Sequence, residues 1–291
     1  MLSIRLPPPL KDYALLDSGD GMKLERWGAF TVARPDGQVV WPALYPELWR
    51  RADARYERSG KTGGWKIHRP ELRERFPWQH GALKFCLELT PFKHTGVFPE
   101  QAANWQWMAE QIVRLKTGGP VAVLNGFAYT GGATLACAAA GADETVHLDA
   151  SKPAIAWAKD NLGRSGLEGA HVRFILDDVG KFIEREVRRK RRYQGIILDP
   201  PVYGRGPKGE KWEIEKDLGK IFANVREILD PQRGFVLLNA YTTGLSAIGL
   251  GNLFRQTLGE TGALTLGELG LPHADDSRIL PAGIFGQWVS G

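Results

Sequence analysis

The rhythm of apolar and polar positions changes once along this chain. Up to about residue 90 the apolar positions come in short runs between turn residues. This predicts strands at Tyr13–Leu16, Met22–Trp27, Phe30–Ala33, Val39–Trp41, Trp65–His68 and Leu83–Leu89. Ser18-Gly19-Asp20-Gly21, Pro35-Asp36-Gly37 and Lys61-Thr62-Gly63-Gly64 read as turns, and Pro46–Arg58 as a short helix. From Pro99 onward, strand-length apolar runs alternate with longer segments of helical period. The helix Pro99–Lys116, with Ala103, Trp107, Ile112 and Leu115 as its apolar positions, ends at Gly118-Gly119-Pro120. Predicted strands follow at Val121–Leu124, Thr145–Leu148, Val172–Leu176, Ile196–Leu198 and Phe235–Asn239, with helices at Ala133–Ala140, Pro153–Leu162, Lys181–Arg192, Ile214–Leu229 and Leu245–Leu258. Two strands, Leu264–Leu271 and Gly283–Val289, close the chain with no helix between them. Repeated βα units of this length predict an α/β fold, a parallel sheet with helices on both faces, ending in an antiparallel hairpin. The expected organisation is a small β-rich domain at residues 1–91 and the α/β domain at residues 92–291.

Composition narrows the class. The 291 residues are 43% hydrophobic and 24% charged, as in ordinary globular proteins. No apolar stretch approaches the ~20 residues that cross a bilayer. Met1–Pro9 lacks a basic flank followed by an apolar core, so a cytoplasmic location and no membrane partner are expected. The net charge of +5 is uneven: residues 1–91 hold fifteen Lys/Arg against eleven Asp/Glu, the remainder twenty-three against twenty-two. A basic front section suits a polyanion such as RNA; the plain alternative is a solvated surface. Cys86 and Cys137 lie among apolar neighbours and are expected in the core. The six histidines show no ligand spacing, so no metal site is expected.

The chemistry-bearing residues gather at predicted strand ends. The first is the turn Asn125 to Gly132, in which Gly126-Phe127-Ala128-Tyr129-Thr130-Gly131 is a loose G-x-G-x-x-G with Ala128 at the second glycine. Free N–H groups at a helix start, approached over a glycine, suit a nucleotide-like ligand. Asp149 ends the next strand 18 residues after Gly131, where an acid accepts from ribose hydroxyls. Ser151, before Pro153, can cap the following helix and leave Asp149 for the ligand. In Asp177-Asp178-Val179, Asp178 is placed to accept from an adenine amino group and the next N–H to meet a ring nitrogen; capping the helix from Lys181 is the alternative. Asp199-Pro200-Pro201 ends the fourth strand stiffly, because each proline fixes φ and lacks an N–H. Four such ends on consecutive strands fit one ligand crevice at the carboxyl edge of the sheet.

Taken together, these residues resemble a known group. Asn125-Gly126-Phe127-Ala128-Tyr129-Thr130-Gly131-Gly132 is similar to the N-x-F-x-Y-T-G-G turn of bacterial large-subunit rRNA methyltransferases. Those enzymes depend on S-adenosylmethionine (SAM), are built on a Rossmann-like seven-stranded sheet, and include cytosine-5 and guanine-N7 members. Thr95–Gln101 resembles their T-G-x-F-x-D-Q segment, with Glu100 in place of Asp, and Leu198–Pro201 resembles their strand-end D-P-P. The resemblance covers about residues 92–291. It implies SAM as cofactor, with Thr95, Phe98, Gln101, Asn125, Phe127, Ala128, Thr130 and Gly131 around it. Asp149 and Ala150 would lie at the ribose, Asp178 and Val179 at the adenine, and Asp199 at the reacting edge. Residues 1–91 resemble only the small β-rich appendages of relatives and are expected to serve substrate or RNA recognition.

One departure shapes the chemistry. The cytosine-5 relatives attack C6 with a cysteine after the fifth strand. This chain has Asn239-Ala240-Tyr241-Thr242-Thr243-Gly244, with Thr242 near that position. A threonine hydroxyl lacks the nucleophilicity of a thiolate, so transfer to nitrogen is expected instead. Asp199 and the Pro200–Pro201 backbone would hold the acceptor, and Tyr203 would stack on it. Arg205, Lys208, Lys211 and Trp212, in a glycine-rich loop, are expected to meet the substrate and to move over it; a solvated surface loop is the alternative. Arg185 to Arg192 is either a phosphate grip or the solvated cationic end of a helix. The rival functions are a small-molecule or protein methyltransferase, a non-catalytic RNA-binding or assembly protein, and an NAD(P)-dependent oxidoreductase.

Overall fold

The computed structural model describes residues 2–59, 62–241 and 244–291. The chain divides into two compact units, one of residues 6–102 and 270–282, the other of residues 1–5, 103–269 and 283–291. Among the described residues no helix is long and apolar enough to cross a membrane.

After β1 (Ser3–Arg5), the chain forms β2 (Tyr13–Gly19), β3 (Met22–Trp27), β4 (Phe30–Pro35), α1 (Pro46–Trp49), β5 (Ala54–Ser59), β6 (Thr62–Ile67), β7 (Phe76–His80) and β8 (Leu83–Leu87). Strands β2 to β6 make one sheet in that order, and β7 and β8 a separate antiparallel pair. Aromatic edges pack the core of this unit, with Tyr13 at 4.6 Å and Trp78 at 5.5 Å from the Trp27 ring. The expected helix Pro46–Arg58 is corrected: α1 stops at Trp49, and its second half is strand β5, where buried Ala54 and Tyr56 alternate with exposed Arg55 and Glu57. Val39–Trp41 is not a strand, while β1 and β7 had no counterpart in the sequence reading.

The other unit runs through α2 (Ala102–Lys116), β9 (Ala122–Gly126), α3 (Gly132–Ala139), β10 (Glu144–Asp149), α4 (Lys152–Arg164), β11 (Val172–Leu176), α5 (Val179–Arg188) and β12 (Gly195–Leu198). It continues through β13 (Tyr203–Arg205), β14 (Lys211–Glu213), α6 (Ile214–Ile228), β15 (Phe235–Ala240), α7 (Ala247–Leu258), β16 (Gly262–Pro272) and β17 (Ile279–Ser290). The large sheet has the order β1-β16-β17-β15-β12-β9-β10-β11. Strands β9, β10, β11, β12 and β15 are parallel and β17 is antiparallel to β15. This is the expected α/β sheet, with eight strands rather than seven because β1 joins its edge beside β16. Gly267 makes that pairing feasible, since a Cβ there would sit 1.8 Å from the Ser3 carbonyl oxygen. All residues of β9, β12 and β15 are buried, which is why they read as unbroken apolar runs. Helix α6 buries Ile214, Leu218, Ile221, Phe222, Val225 and Ile228, one face at helical spacing.

Candidate active site

Strand register lines up one rim of the sheet. Leu148, Gly126, Leu198 and Leu238 stand side by side on β10, β9, β12 and β15. The next residue on each strand is therefore Asp149, Phe127, Asp199 and Asn239, all at carboxyl ends. Asp149 in turn pairs with Leu176, so Asp177 and Asp178 follow on the same edge. This is the side on which open α/β sheets take ligands.

The turn after β9 is conformationally unusual. Phe127 and Tyr129 have φ of 57° and 47°, a region bulky side chains rarely occupy. Three hydrogen bonds hold it: Ala128 N–H to the Leu148 carbonyl at 3.1 Å, Gly131 N–H to the Ala128 carbonyl at 3.0 Å, and Tyr129 N–H to Asp149 Oδ2 at 2.8 Å. Gly131, at φ 94°, is the N-cap of α3 and offers no side-chain cap. Helices α4, α5 and α7 are capped by Ser151, Asp178 and Ser246. The start of α3 thus lacks a side-chain acceptor where an anionic group would bind. Buried Thr130 accepts at its carbonyl from Asn161 Nδ2 at 2.9 Å. Asn125, expected at the cofactor, turns its side chain into the core. Its Nδ2 donates to Thr134 Oγ1 at 2.9 Å, and that hydroxyl meets His147 Nδ1 at 2.9 Å. Burial pushes the His147 imidazole down to about 3, so this buried triad is uncharged.

Asp149 ties two turns together, because its Oδ1 also accepts from Ser151 N–H at 2.8 Å. Burial raises its carboxyl above the ordinary range, against the pull of these N–H donors. Ser151 does cap α4, accepting from Ala154 N–H at 3.3 Å, and half-buried Ala150 lies between the two. Asp178 takes the alternative role considered for it: its Oδ1 caps α5 by accepting from Lys181 N–H at 2.9 Å. Asp177 accepts from Asp178 N–H at 2.8 Å and pairs with Arg185. The Val179 side chain is buried, and with Leu198 it crowds Gly126, where a Cβ would sit 2.9 Å from Leu198 Cδ2 and 3.1 Å from Val179 Cγ1.

Asp199 is partly buried and receives a hydrogen bond from Asn239 Nδ2 at 2.9 Å. Burial pushes its carboxyl up to about 6, with the Asn239 bond acting the other way. Asn239 is not among the site residues expected from the sequence; the one signal for it there is its place at the end of an apolar strand. Thr242 lies outside the described residues. Pro200 is buried and Pro201 exposed.

The segment after Pro201 is a hairpin of β13 and β14 rather than a free loop. Trp212 is corrected from substrate contact to internal strut. It is buried, its Nε1 donates to the Pro201 carbonyl at 2.6 Å, and its ring packs 4.9 Å from Phe127. Glu210 pins the hairpin, accepting from Lys181 Nζ at 2.6 Å and Lys208 N–H at 2.9 Å. Tyr203 is 70% exposed, and Arg205, Lys208 and Lys211 are exposed. Much of the basic run is engaged internally. Arg185 pairs with Asp177, Arg189 with Glu186 and Arg191 with Glu144, and Arg192 donates to the Leu229 carbonyl. Helix α5 ends at Arg188, short of the expected Arg192.

Thr95, Phe98 and Gln101 belong to the unit of residues 6–102 and 270–282. There Thr95 Oγ1 donates to the Val97 carbonyl at 3.3 Å, Phe98 meets His94 edge-on at 5.3 Å, and Gln101 N–H donates to the Phe98 carbonyl at 3.1 Å. Glu100 is buried, and burial pushes its carboxyl up to about 7.

A parallel sheet with acids along one carboxyl rim and an uncapped helix start beside them defines a nucleoside-cofactor enzyme of the Rossmann-like class. Comparison with known proteins names the family. The model of the S-adenosylmethionine-dependent methyltransferases matches residues 55–274, and the chain belongs to that family. It is similar to a SAM-dependent methyltransferase from Agrobacterium tumefaciens, with 38% identity, a TM-score of 0.92, and coverage of 99% of this chain and 93% of that one. SMU.776, solved in complex with SAH, shares the fold at TM-score 0.73 and 20% identity, covering 97% of this chain and 76% of that one. Among curated proteins, the ribosomal RNA large subunit methyltransferase K/L of Shewanella frigidimarina is 32% identical over 162 residues, 55% of this chain and 22% of that protein. The chain thus spans about a fifth of the length of such relatives. SAM is the cofactor, which decides against the nicotinamide alternative.

Proposed function

We propose that this methyltransferase acts on a base of ribosomal RNA, at nitrogen, in the cytoplasm. The observation that carries the site is the row Asp149, Phe127, Asp199 and Asn239 across four adjacent strand ends. The residues present fit SAM. The uncapped start of α3, reached past Phe127, Ala128, Thr130 and Gly131, suits the cofactor carboxylate. Asp149 beside Ala150 would accept from the ribose hydroxyls. The second carboxylate oxygen of Asp178 and the Val179 N–H would meet the adenine edge. Leu176, 46% exposed at the end of β11, was not foreseen and would cover the ring. Thr95, Phe98 and Gln101 retain the cofactor role their motif implies.

SAM supplies a methyl already activated by its sulfonium, so the protein has mainly to align the acceptor and exclude water. Asp199 and the Pro200–Pro201 backbone would hold the acceptor, and Tyr203 would stack on it. Transfer to nitrogen is favoured because both cysteines of the chain are buried and burial pushes the Cys137 thiol up to about 12. RNA is favoured by the names of the curated relatives and by exposed Arg205, Lys208 and Lys211 beyond Asp199. Residues 1–91 would contribute recognition: Arg55 lies directly across from Lys66 on β5 and β6, both exposed, a like-charge pair that a phosphate would relieve. The test is transfer of labelled methyl from SAM into extract of a strain lacking the protein, followed by fractionation. Label is expected in RNA; label confined to protein or small molecules refutes the RNA substrate.

A further inference from the structure

We infer that Phe92, at the tip of the turn Thr90 to His94, is a stacking platform for an unpaired base of RNA, with Arg58 and Lys93 beside it for the phosphates. This rests on the reading of the protein as an RNA methyltransferase. The sequence favours a turn here, because Pro91 has its φ preset for the second position. Lys93 N–H closes it on the Thr90 carbonyl at 3.2 Å, and behind it Thr90 N–H donates to the His94 carbonyl at 2.9 Å. Lys93 holds a left-handed φ of 67°, a conformation glycine adopts more cheaply. Two aromatic side chains clamp the turn. Tyr56 Oη donates to the Pro91 carbonyl at 2.8 Å, and Trp65 Nε1 donates to the Thr90 carbonyl at 2.8 Å. Tyr56 and Trp65 stand directly opposite each other on β5 and β6, their rings edge-on at 5.4 Å. Lys93 Nζ adds a bond to the Pro35 carbonyl at 3.2 Å.

Phe92 itself is 77% exposed, and among the described residues it is the only phenylalanine so placed. A single exposed apolar side chain is ordinary; what sets this one apart is the clamp beneath it and the charge around it. Every bond that holds the turn comes from other residues, so the fold makes no use of the ring. Arg58 follows Tyr56 by two positions on β5, so it lies on the face that carries the turn, and it is exposed. Among the described residues no carboxylate pairs with it. Burial, and then repulsion from Arg34, Lys23 and Arg58, holds the Lys93 ammonium below its ordinary range against the pull of Asp36. An anion bound at the turn relieves that repulsion. A flat apolar face beside cations suits a chain that alternates flat bases with phosphates, which is single-stranded RNA. An acidic peptide would satisfy the cations and leave the ring in water.

The test is fluorescence anisotropy of the full chain with a labelled oligoadenylate of about 12 nucleotides, over a range of salt concentrations. Phe92 and Arg58 are exposed, so their variants are expected to keep the wild-type Tm. Phe92→Ala should weaken binding roughly tenfold without changing the salt dependence. Phe92→Leu, which keeps an apolar side chain but no flat face, should lose nearly as much, and Phe92→Trp should bind at least as tightly as wild type. Arg58→Gln should lower the slope of log affinity against log salt by about 0.7. Wild type that does not bind the oligonucleotide, Phe92→Ala that binds it equally well, or Phe92→Leu that matches wild type overturns the platform. So does oligoglutamate bound as tightly as the RNA with no loss in Phe92→Ala, which marks a surface for acidic peptides. Methyl label in RNA with undiminished oligonucleotide affinity in Phe92→Ala overturns this inference and leaves the RNA substrate standing. Label confined to protein or small molecules, with the affinity loss present, refutes the RNA substrate and upholds the platform.

Discussion

Replacing Asp199 by asparagine is expected to abolish turnover and yet to stabilise the protein at neutral pH. Burial holds this carboxyl at about 6, against an ordinary value of 3.8. Because the folded-state value lies above the unfolded one, the folded protein keeps the proton over the interval between them. The associated stability is complete below about 3.8 and is lost as pH rises through about 6. A gap of about 2 pKa units, at ~1.4 kcal/mol each, makes the ionised group cost about 3 kcal/mol at pH 7. The asparagine keeps an acceptor for Asn239, and the charge assistance of that bond is already contained in the value of about 6. The net gain is about 3 kcal/mol, or roughly 6 °C in Tm for a chain of this size. Thermal denaturation of both proteins at about pH 7.5 and about pH 4.5 tests this. At the lower pH the folded carboxyl is mostly protonated while the unfolded one is still mostly ionised, so the gain should fall to about 1 kcal/mol. Taking the difference between the two pH values cancels every group the variants share. A Tm difference that is the same at both pH values, or a variant less stable at the higher one, refutes the reasoning. The result would identify Asp199 as a group kept at a cost in stability because the reaction uses it.

Two further substitutions test the frame around that carboxylate. Trp212→Ala removes a buried indole and should cost about 3–5 kcal/mol in urea denaturation, whereas a surface residue would cost almost nothing. Trp212→Phe keeps the packing on Phe127 but leaves the Pro201 carbonyl without its donor. It should cost about 1–2 kcal/mol and lower kcat with SAM affinity unchanged; wild-type kcat would show that the strut does not matter for turnover. Gly131→Ala forces a side chain into φ 94° with its Cβ 3.0 Å from the Ala158 Cβ. Calorimetry should show SAM binding weakened roughly tenfold or more, in line with about 1–2 kcal/mol of backbone strain. Undiminished affinity would place the cofactor away from this turn.

Much of the α/β part was legible because its elements carry their own local signals. Strands β9, β12 and β15 are buried on both faces and so appear as apolar runs. Ser151 before Pro153 announced the cap of α4. The β-rich part was harder. Strand β5 lies where helix formers and Pro46 suggested a helix, and only the alternation of Ala54 and Tyr56 with Arg55 and Glu57 betrays it. Side-chain roles were the least legible. Trp212 among lysines reads as a surface aromatic until Phe127 and Pro201 are seen to enclose it. Asn125 reads as a ligand contact until Thr134 and His147 are found beside it.

By itself the sequence determined the alternation of strands and helices, the glycine turn after β9 and the acids at strand ends, because burial pattern and backbone chemistry act over a few residues. The tertiary structure alone decided which strand ends are neighbours. Asp199 and Asn239 are 40 positions apart in the chain and meet only through the register of β12 and β15. The pairing of β1 with β16 and the return of residues 270–282 to the other unit are of the same kind. Such contacts depend on which distant surfaces bury each other, and that free energy is shared between segments, so neither segment carries it alone.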